Sequence, residues 1–154
     1  MMTPTTHASA VLVGTKAVLI LGPSGSGKSR LALNLMAKGG GALPFARLVA
    51  DDRAILETRS GRLIVRPAQP LTGLIEVRGL GLRRVPCEPV AAVGCVVELA
   101  AAGAARLPAP EACVTTISGV QMPRLPVAPG TNPLPLVLAW LMTKSFESET
   151  LGGD

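Results

Sequence analysis

The sequence predicts one α/β domain organised around a phosphate-binding loop. Three observations carry that prediction. The stretch Gly22-Pro23-Ser24-Gly25-Ser26-Gly27-Lys28-Ser29 has the pattern G-x-x-x-x-G-K-S. The apolar run Ala17-Val18-Leu19-Ile20-Leu21 before it predicts a buried strand, and Leu31, Ala32, Leu35 and Met36 after it recur at helical spacing. The length, 154 residues, suits one domain with a real core, over 1–154. In such a strand–loop–helix unit, backbone N–H groups converge on phosphates where the helix begins. Lys28 is then placed to reach the β- and γ-phosphates of a nucleotide, and the Ser29 hydroxyl to ligate Mg²⁺. Gly25 and Gly27 let the backbone wrap closely without a Cβ.

Composition excludes several classes. Aromatic residues make up 2% of the chain, which argues against a stacking platform for single strands. The net charge is +5, yet no basic run exceeds the pair Arg83-Arg84, so no polybasic tail is present. A nucleic-acid partner is therefore not expected. Cys87, Cys95 and Cys113 lack C-x-x-C spacing and suit small buried side chains in a reducing, cytoplasmic setting. No basic segment precedes the first apolar run, so a signal peptide is not expected. No run of about 18 apolar residues exists, so no membrane helix is expected.

Taken in order, Val11–Val13 and the 17–21 strand flank the turn Gly14-Thr15-Lys16, a hairpin that carries His7 towards the nucleotide side. The following helix runs to about Lys38, with Arg30, Asn34 and Lys38 as its solvated face, and Gly39-Gly40-Gly41 stop it. Arg47–Ala50 predicts a short buried strand ending in Asp51-Asp52. Arg53–Arg59 and Arg62–Arg66 predict a hairpin around Ser60-Gly61. The segment Leu74–Leu82 is expected to be extended, with Glu76 and Arg78 on one side. Val93–Leu99 and Cys113–Ile117 predict further strands, while the proline-rich 119–130 stretch predicts an extended connection. Asn132-Pro133 predicts a capped helix start, and Leu134, Val137, Leu138, Leu141 and Met142 its apolar stripe, for the core or for a dimer. The tail from Glu147 is expected to be disordered.

Phosphoryl transfer needs more than the loop: a metal partner and a group that orients or deprotonates the acceptor. Asp51-Asp52, at the end of an apolar strand, can supply both, one carboxylate to each task. Glu76 can complete an oxygen-rich Mg²⁺ environment, and Arg78 can neutralise phosphate charge.

The succession His7-Ala8-Ser9-Ala10, Gly22–Ser29, Leu48-Val49-Ala50-Asp51-Asp52-Arg53 and Ile75-Glu76-Val77-Arg78-Gly79-Leu80-Gly81 resembles the catalytic domain of HPr kinase/phosphorylase, over about residues 7–143. That family phosphorylates a serine of HPr, the phosphocarrier of the bacterial phosphotransferase system. The resemblance implies a mixed sheet in a phosphoenolpyruvate-carboxykinase-like P-loop fold. It implies active-site roles for His7 and Lys28, proton transfer by Asp51, and Mg²⁺ ligation by Ser29 and Glu76, with Asp52 supporting the metal. It places Arg78 in a loop, Ile75–Arg84, used in both directions of the reaction, and Arg106 at a further catalytic arginine. HPr is the implied partner, ATP and Mg²⁺ the implied cofactors, and a hexamer the implied assembly. Full-length relatives carry a separate N-terminal domain, expected to be absent here, so the resemblance is to the short form of the family found in alphaproteobacteria. Relatives also have a basic P-G-R-N segment associated with dephosphorylation, where this chain has Pro129-Gly130-Thr131-Asn132. A weak or absent reverse reaction is therefore expected. The residues also admit a small-molecule P-loop kinase, or a non-catalytic nucleotide sensor.

Overall fold

The computed structural model describes residues 4–144. Ten strands, two α-helices and one 3-10 turn follow in the order β1 (Thr6–Val13), β2 (Lys16–Leu21), α1 (Lys28–Ala37), β3 (Ala46–Ala50), β4 (Arg53–Arg59), β5 (Arg62–Pro67), β6 (Leu74–Val77), β7 (Gly81–Arg84), β8 (Ala91–Glu98), the 3-10 turn Pro110–Cys113, β9 (Val114–Ile117), β10 (Val120–Pro126) and α2 (Pro133–Met142).

The main sheet is mixed, as expected. β1 pairs with β2 along one edge, and with β4 and then β3 along the other, all antiparallel. β4 and β5 form the expected hairpin, and Ile64 and Val65 of β5 meet the start of β8. The rest of β8 runs parallel to β2 on one side and to β10 on the other. The path β2–β1–β4–β5–β8 therefore closes back onto β2. A ring this narrow leaves little interior space, so small side chains must fill it. The alanine content meets that need: Ala8, Ala10, Ala17, Ala50, Ala54 and Ala91 line this core beside Leu19, Val49, Val65 and Val96.

The opposite face of β2 makes a second core. Ala17 and Leu19 point into the ring, while Val18 and Ile20 meet the helices. Leu31, Ala32 and Leu35 of α1, Ile75 of β6 and Val137 of α2 pack there. Burial on both faces explains why β2 is a continuous apolar run rather than an alternating one. Cys95 lies on this side, and burial pushes its thiol up to about 12. It stays a protonated, apolar filler at neutral pH.

Three expectations are corrected. The proline-rich 119–130 stretch contains a strand rather than a connection. Its prolines are tolerated because Pro123 sits where β10 stops pairing with β9, and Pro126 ends the pairing with β8. The 74–82 segment is not extended throughout: β6 and β7 fold back on one another, and Arg78 lies in the reversal. Gly79 and Gly81 have φ of +91° and +93°, which turns the chain there. On α2, Met142 is exposed and Trp140 joins Leu134, Leu138 and Leu141 on the core side. The Asn132 side chain accepts from Leu134 N at 3.2 Å, the expected cap. The Glu147 tail lies outside the described residues.

Candidate active site

The site forms where β2, α1, β3 and β6 meet. Gly22 leaves β2 with φ +153°, and a Cβ there would stand 2.6 Å from Ser26 Oγ, so the position admits only glycine. Gly25 and Gly27 have φ of +82° and +101° and open space where a side chain would be. α1 then starts at Lys28, and no acidic residue occupies its first turn. Two cations, Lys28 and Arg30, stand there instead, against the positive end of the helix dipole. That placement weakens the isolated helix and suits an anion in front of it. Ser26 Oγ is buried without a hydrogen-bond partner, a further polar group that a phosphate oxygen would satisfy. Lys28 is buried, and its Nζ donates to Gly22 O at 2.8 Å and Pro23 O at 3.1 Å. These two bonds use two of its three N–H groups and hold the ammonium inside the loop.

The two adjacent aspartates are placed very differently. Asp51 is 6% exposed and accepts three hydrogen bonds. Ser29 Oγ donates to its Oδ1 at 2.6 Å, Ser9 Oγ to the same oxygen at 2.8 Å, and Glu76 N to its Oδ2 at 3.1 Å. One carboxylate therefore ties together α1, β1, β3 and β6. Such a buried group is tolerable only because donors surround it. Asp52 takes φ +67°, with Arg53 N bonded to Asp51 O at 2.7 Å. This left-handed step sends the second carboxylate outward, where its side chain is 60% exposed. His7 Nδ1, on β1, lies 3.7 Å from Asp52 Oδ1. Ser9 supports both residues, since it also accepts from Asp52 N at 3.3 Å.

An open cleft of about 640 Å³ runs along the 24–30 segment and is closed on the far side by Asp52, Glu76, Val77 and Arg78. The structure thus brings Lys28, Ser29, Asp52, Glu76 and Arg78 to one cleft, with His7 at its edge through Asp52. Arg106, expected as a further catalytic residue, is exposed on the 99–109 connection and lines neither this cleft nor a second one beside it. Thr131 lines that second cleft, next to Gly25–Gly27.

The family model described as HPr Serine kinase C-terminal domain matches residues 2–150. The chain belongs to that family. It is similar to the HPr kinase/phosphorylase of Clostridium tetani, at 40% identity over 87 residues, covering 55% of this chain and 27% of the relative. It is also similar to the HPr kinase/phosphorylase of Geobacter sulfurreducens, at 42% identity over 82 residues, covering 51% of this chain and 24% of the relative. The matches thus span about a quarter of these relatives' length. The solved structure of the Hpr(Ser) kinase/phosphatase from Coxiella burnetii matches with a TM-score of 0.72 at 24% identity, covering 98% of this chain and 94% of that one, which shows a shared fold.

Within this family's domain, sequence reasoning missed Ser9. It is a fully buried hydroxyl in an otherwise small and apolar stretch of β1. A buried hydroxyl needs a partner, and that was the available signal. The partner, Asp51, is 42 residues away and could not be named from the sequence. Among the described residues no helix is long and apolar enough to cross a membrane.

Proposed function

We propose that this domain transfers the γ-phosphoryl group of Mg-ATP to a serine hydroxyl of HPr, the phosphocarrier named in its family. The observation that carries the reading is the 2.6 Å bond from Ser29 Oγ to Asp51, set at the foot of a cleft that Asp52, Glu76 and Arg78 complete. A helix-starting Ser joined to a strand-end Asp is the pair that holds Mg²⁺ beside a phosphate-binding loop. The names of the relatives supply the acceptor.

In this proposal the loop 22–29 binds the triphosphate through its backbone N–H groups, the Ser26 hydroxyl and Lys28. Ser29 and Glu76 would hold Mg²⁺, with Asp51 anchoring the Ser29 hydroxyl, and the ion when bound would neutralise phosphate charge. In this reading the roles expected for the aspartates are exchanged. Asp51 is buried beneath its bonds to Ser9, Ser29 and Glu76 and does not line the cleft that the acceptor would enter. Asp52 faces the cleft and takes the serine proton as general base. His7 steadies Asp52 from 3.7 Å. Arg78, on the β6–β7 reversal, meets the transferring phosphoryl group from the acceptor side. The proton leaves the serine for Asp52 as its oxygen bonds to phosphorus, and ADP departs with the electrons of the broken P–O bond.

The reverse reaction, attack of inorganic phosphate on phosphoserine, is proposed to be weak. It brings two anions together and needs more positive charge than attack by a neutral hydroxyl. Thr131 supplies none. Arg124, the nearby candidate to replace it, is committed to Glu98 Oε1 at 3.1 Å, Ala112 O at 2.8 Å and Ala102 O at 3.2 Å. Incubation with Mg-ATP and HPr, followed by mass spectrometry of HPr, tests the forward reading. A single added phosphoryl group on serine is expected. Unmodified HPr alongside retained ATP binding would instead identify a nucleotide sensor.

A further inference from the structure

The 22–29 loop has a cleft on each side, and only one of them holds the chemistry. The second, of about 470 Å³, shares Gly25–Gly27 and Arg30 with the first but contains neither Lys28 nor Ser29, and no carboxylate. Its walls come from α1, the end of β8 and the segment leading into α2. Leu31, Leu99 and Val127 give it an apolar floor, and the Asn34 side chain gives it an amide. The backbone marks it as well. Four described non-glycine residues have positive φ. Ser60 and Ser118 do so in tight hairpin turns, each followed by a glycine. The other two, Asp52 and Ala100, each line one of the two clefts. Left-handed backbone outside a hairpin turn concentrates at functional sites.

We infer that the second cleft receives the nucleoside of the triphosphate, with its base on the Leu31–Leu99–Val127 floor and Asn34 hydrogen-bonded to it. This rests on the nucleotide reading above. The polarity of the loop supports it. Lysine and serine at the helix start mark the β,γ end of a bound triphosphate, and the glycine N–H groups mark its α,β end. Lys28 and Ser29 belong to the first cleft, so the α-phosphate leads along Gly25–Gly27 into the second. A concave apolar space of this size with a few polar groups suits a ligand of nucleoside dimensions.

Calorimetry with Mg-ATP and with Mg-tripolyphosphate separates the two claims, because the second ligand has phosphates and no nucleoside. The wild type should bind ATP at least about tenfold more tightly than tripolyphosphate. Asn34→Leu removes the amide, and Ala128→Leu fills the cleft from its rim. Both should bring the ATP-to-tripolyphosphate ratio down to near one, with tripolyphosphate binding unchanged, which also shows that the variants are folded. Lys28→Ala should weaken both ligands together. A wild-type ratio near one, or a ratio that survives Ala128→Leu, overturns the nucleoside cleft while leaving the loop intact. Equal weakening of both ligands by Ala128→Leu also overturns it. Equal binding of both ligands by Lys28→Ala and wild type overturns the loop reading beneath it.

Discussion

The two walls of the candidate active-site cleft are built on opposite plans. The α1–β3 wall is buried and cross-linked: Asp51 joins four elements, and Lys28 is held by two carbonyls. The β6–β7 wall is anchored by Ile75 alone among its fully buried residues, and it is exposed from Arg78 to Arg84. Leu80 and Leu82 stand in solvent at 67% and 68% exposure. On the proposed function, the difference follows what each wall would meet. A magnesium triphosphate has one shape, so its donors can be fixed in advance, which lowers the cost of reorganisation during transfer. A serine on a macromolecule arrives with a surface around it, so the wall facing it is left open.

That contrast can be broken from the rigid side first. Lys28→Ala should lower phosphoryl transfer by about 10³-fold or more, the scale of losing a preorganised charge donor, and steady-state rates with saturating HPr would measure it. Asp51→Ala should act on the fold as well as on the reaction. It leaves the buried Ser9 hydroxyl and Glu76 N–H without their acceptor, costing roughly 3 kcal/mol of stability in urea unfolding. Asp52→Gly should cost no stability, and up to about 1 kcal/mol should be gained where a left-handed backbone step is relieved. A stable but inactive Asp52→Gly beside an unstable Asp51→Ala would sharpen the comparison. Equal stability losses would dissolve it.

The open wall should yield smaller effects, confined to the acceptor. Arg78→Ala should reduce transfer by about 10- to 100-fold, the range expected for one to two orders of transition-state charge stabilisation, with unchanged melting temperature. Leu80→Ser should raise the KM for HPr a few-fold and leave ATP affinity alone, since its exposed side chain contributes only contact area. A change in ATP affinity of similar size would mean that the hairpin belongs to the nucleotide side.

Much of the rigid wall, and the start of α2, was legible in the sequence because the signals are local. The loop pattern, the apolar strand before it and the Asn132-Pro133 cap each lie within a few residues and were all found. The ring closure was not legible. It depends on β5 meeting β8 across a separation of some 27 residues, and only the abundance of alanine hinted at a narrow interior. The β6–β7 reversal was missed because alternation suggests extension until two positive-φ glycines turn the chain. The exchange of roles proposed for Asp51 and Asp52 could not be read from the sequence for a related reason. Adjacent residues on a regular strand point to opposite faces, but which face is the cleft depends on Ser9 and Glu76, 42 and 25 residues away.

The central claim is that one aspartate holds the site and the other moves the proton. Single-turnover transfer from saturating Mg-ATP to HPr by Asp52→Asn, with the Mg-ATP Kd measured on the same sample, tests it most directly. The account predicts a Kd within about twofold of wild type and a transfer rate lowered by about 10²- to 10⁴-fold, the usual contribution of a general base. A transfer rate near that of the wild type would contradict it and return proton transfer to Asp51.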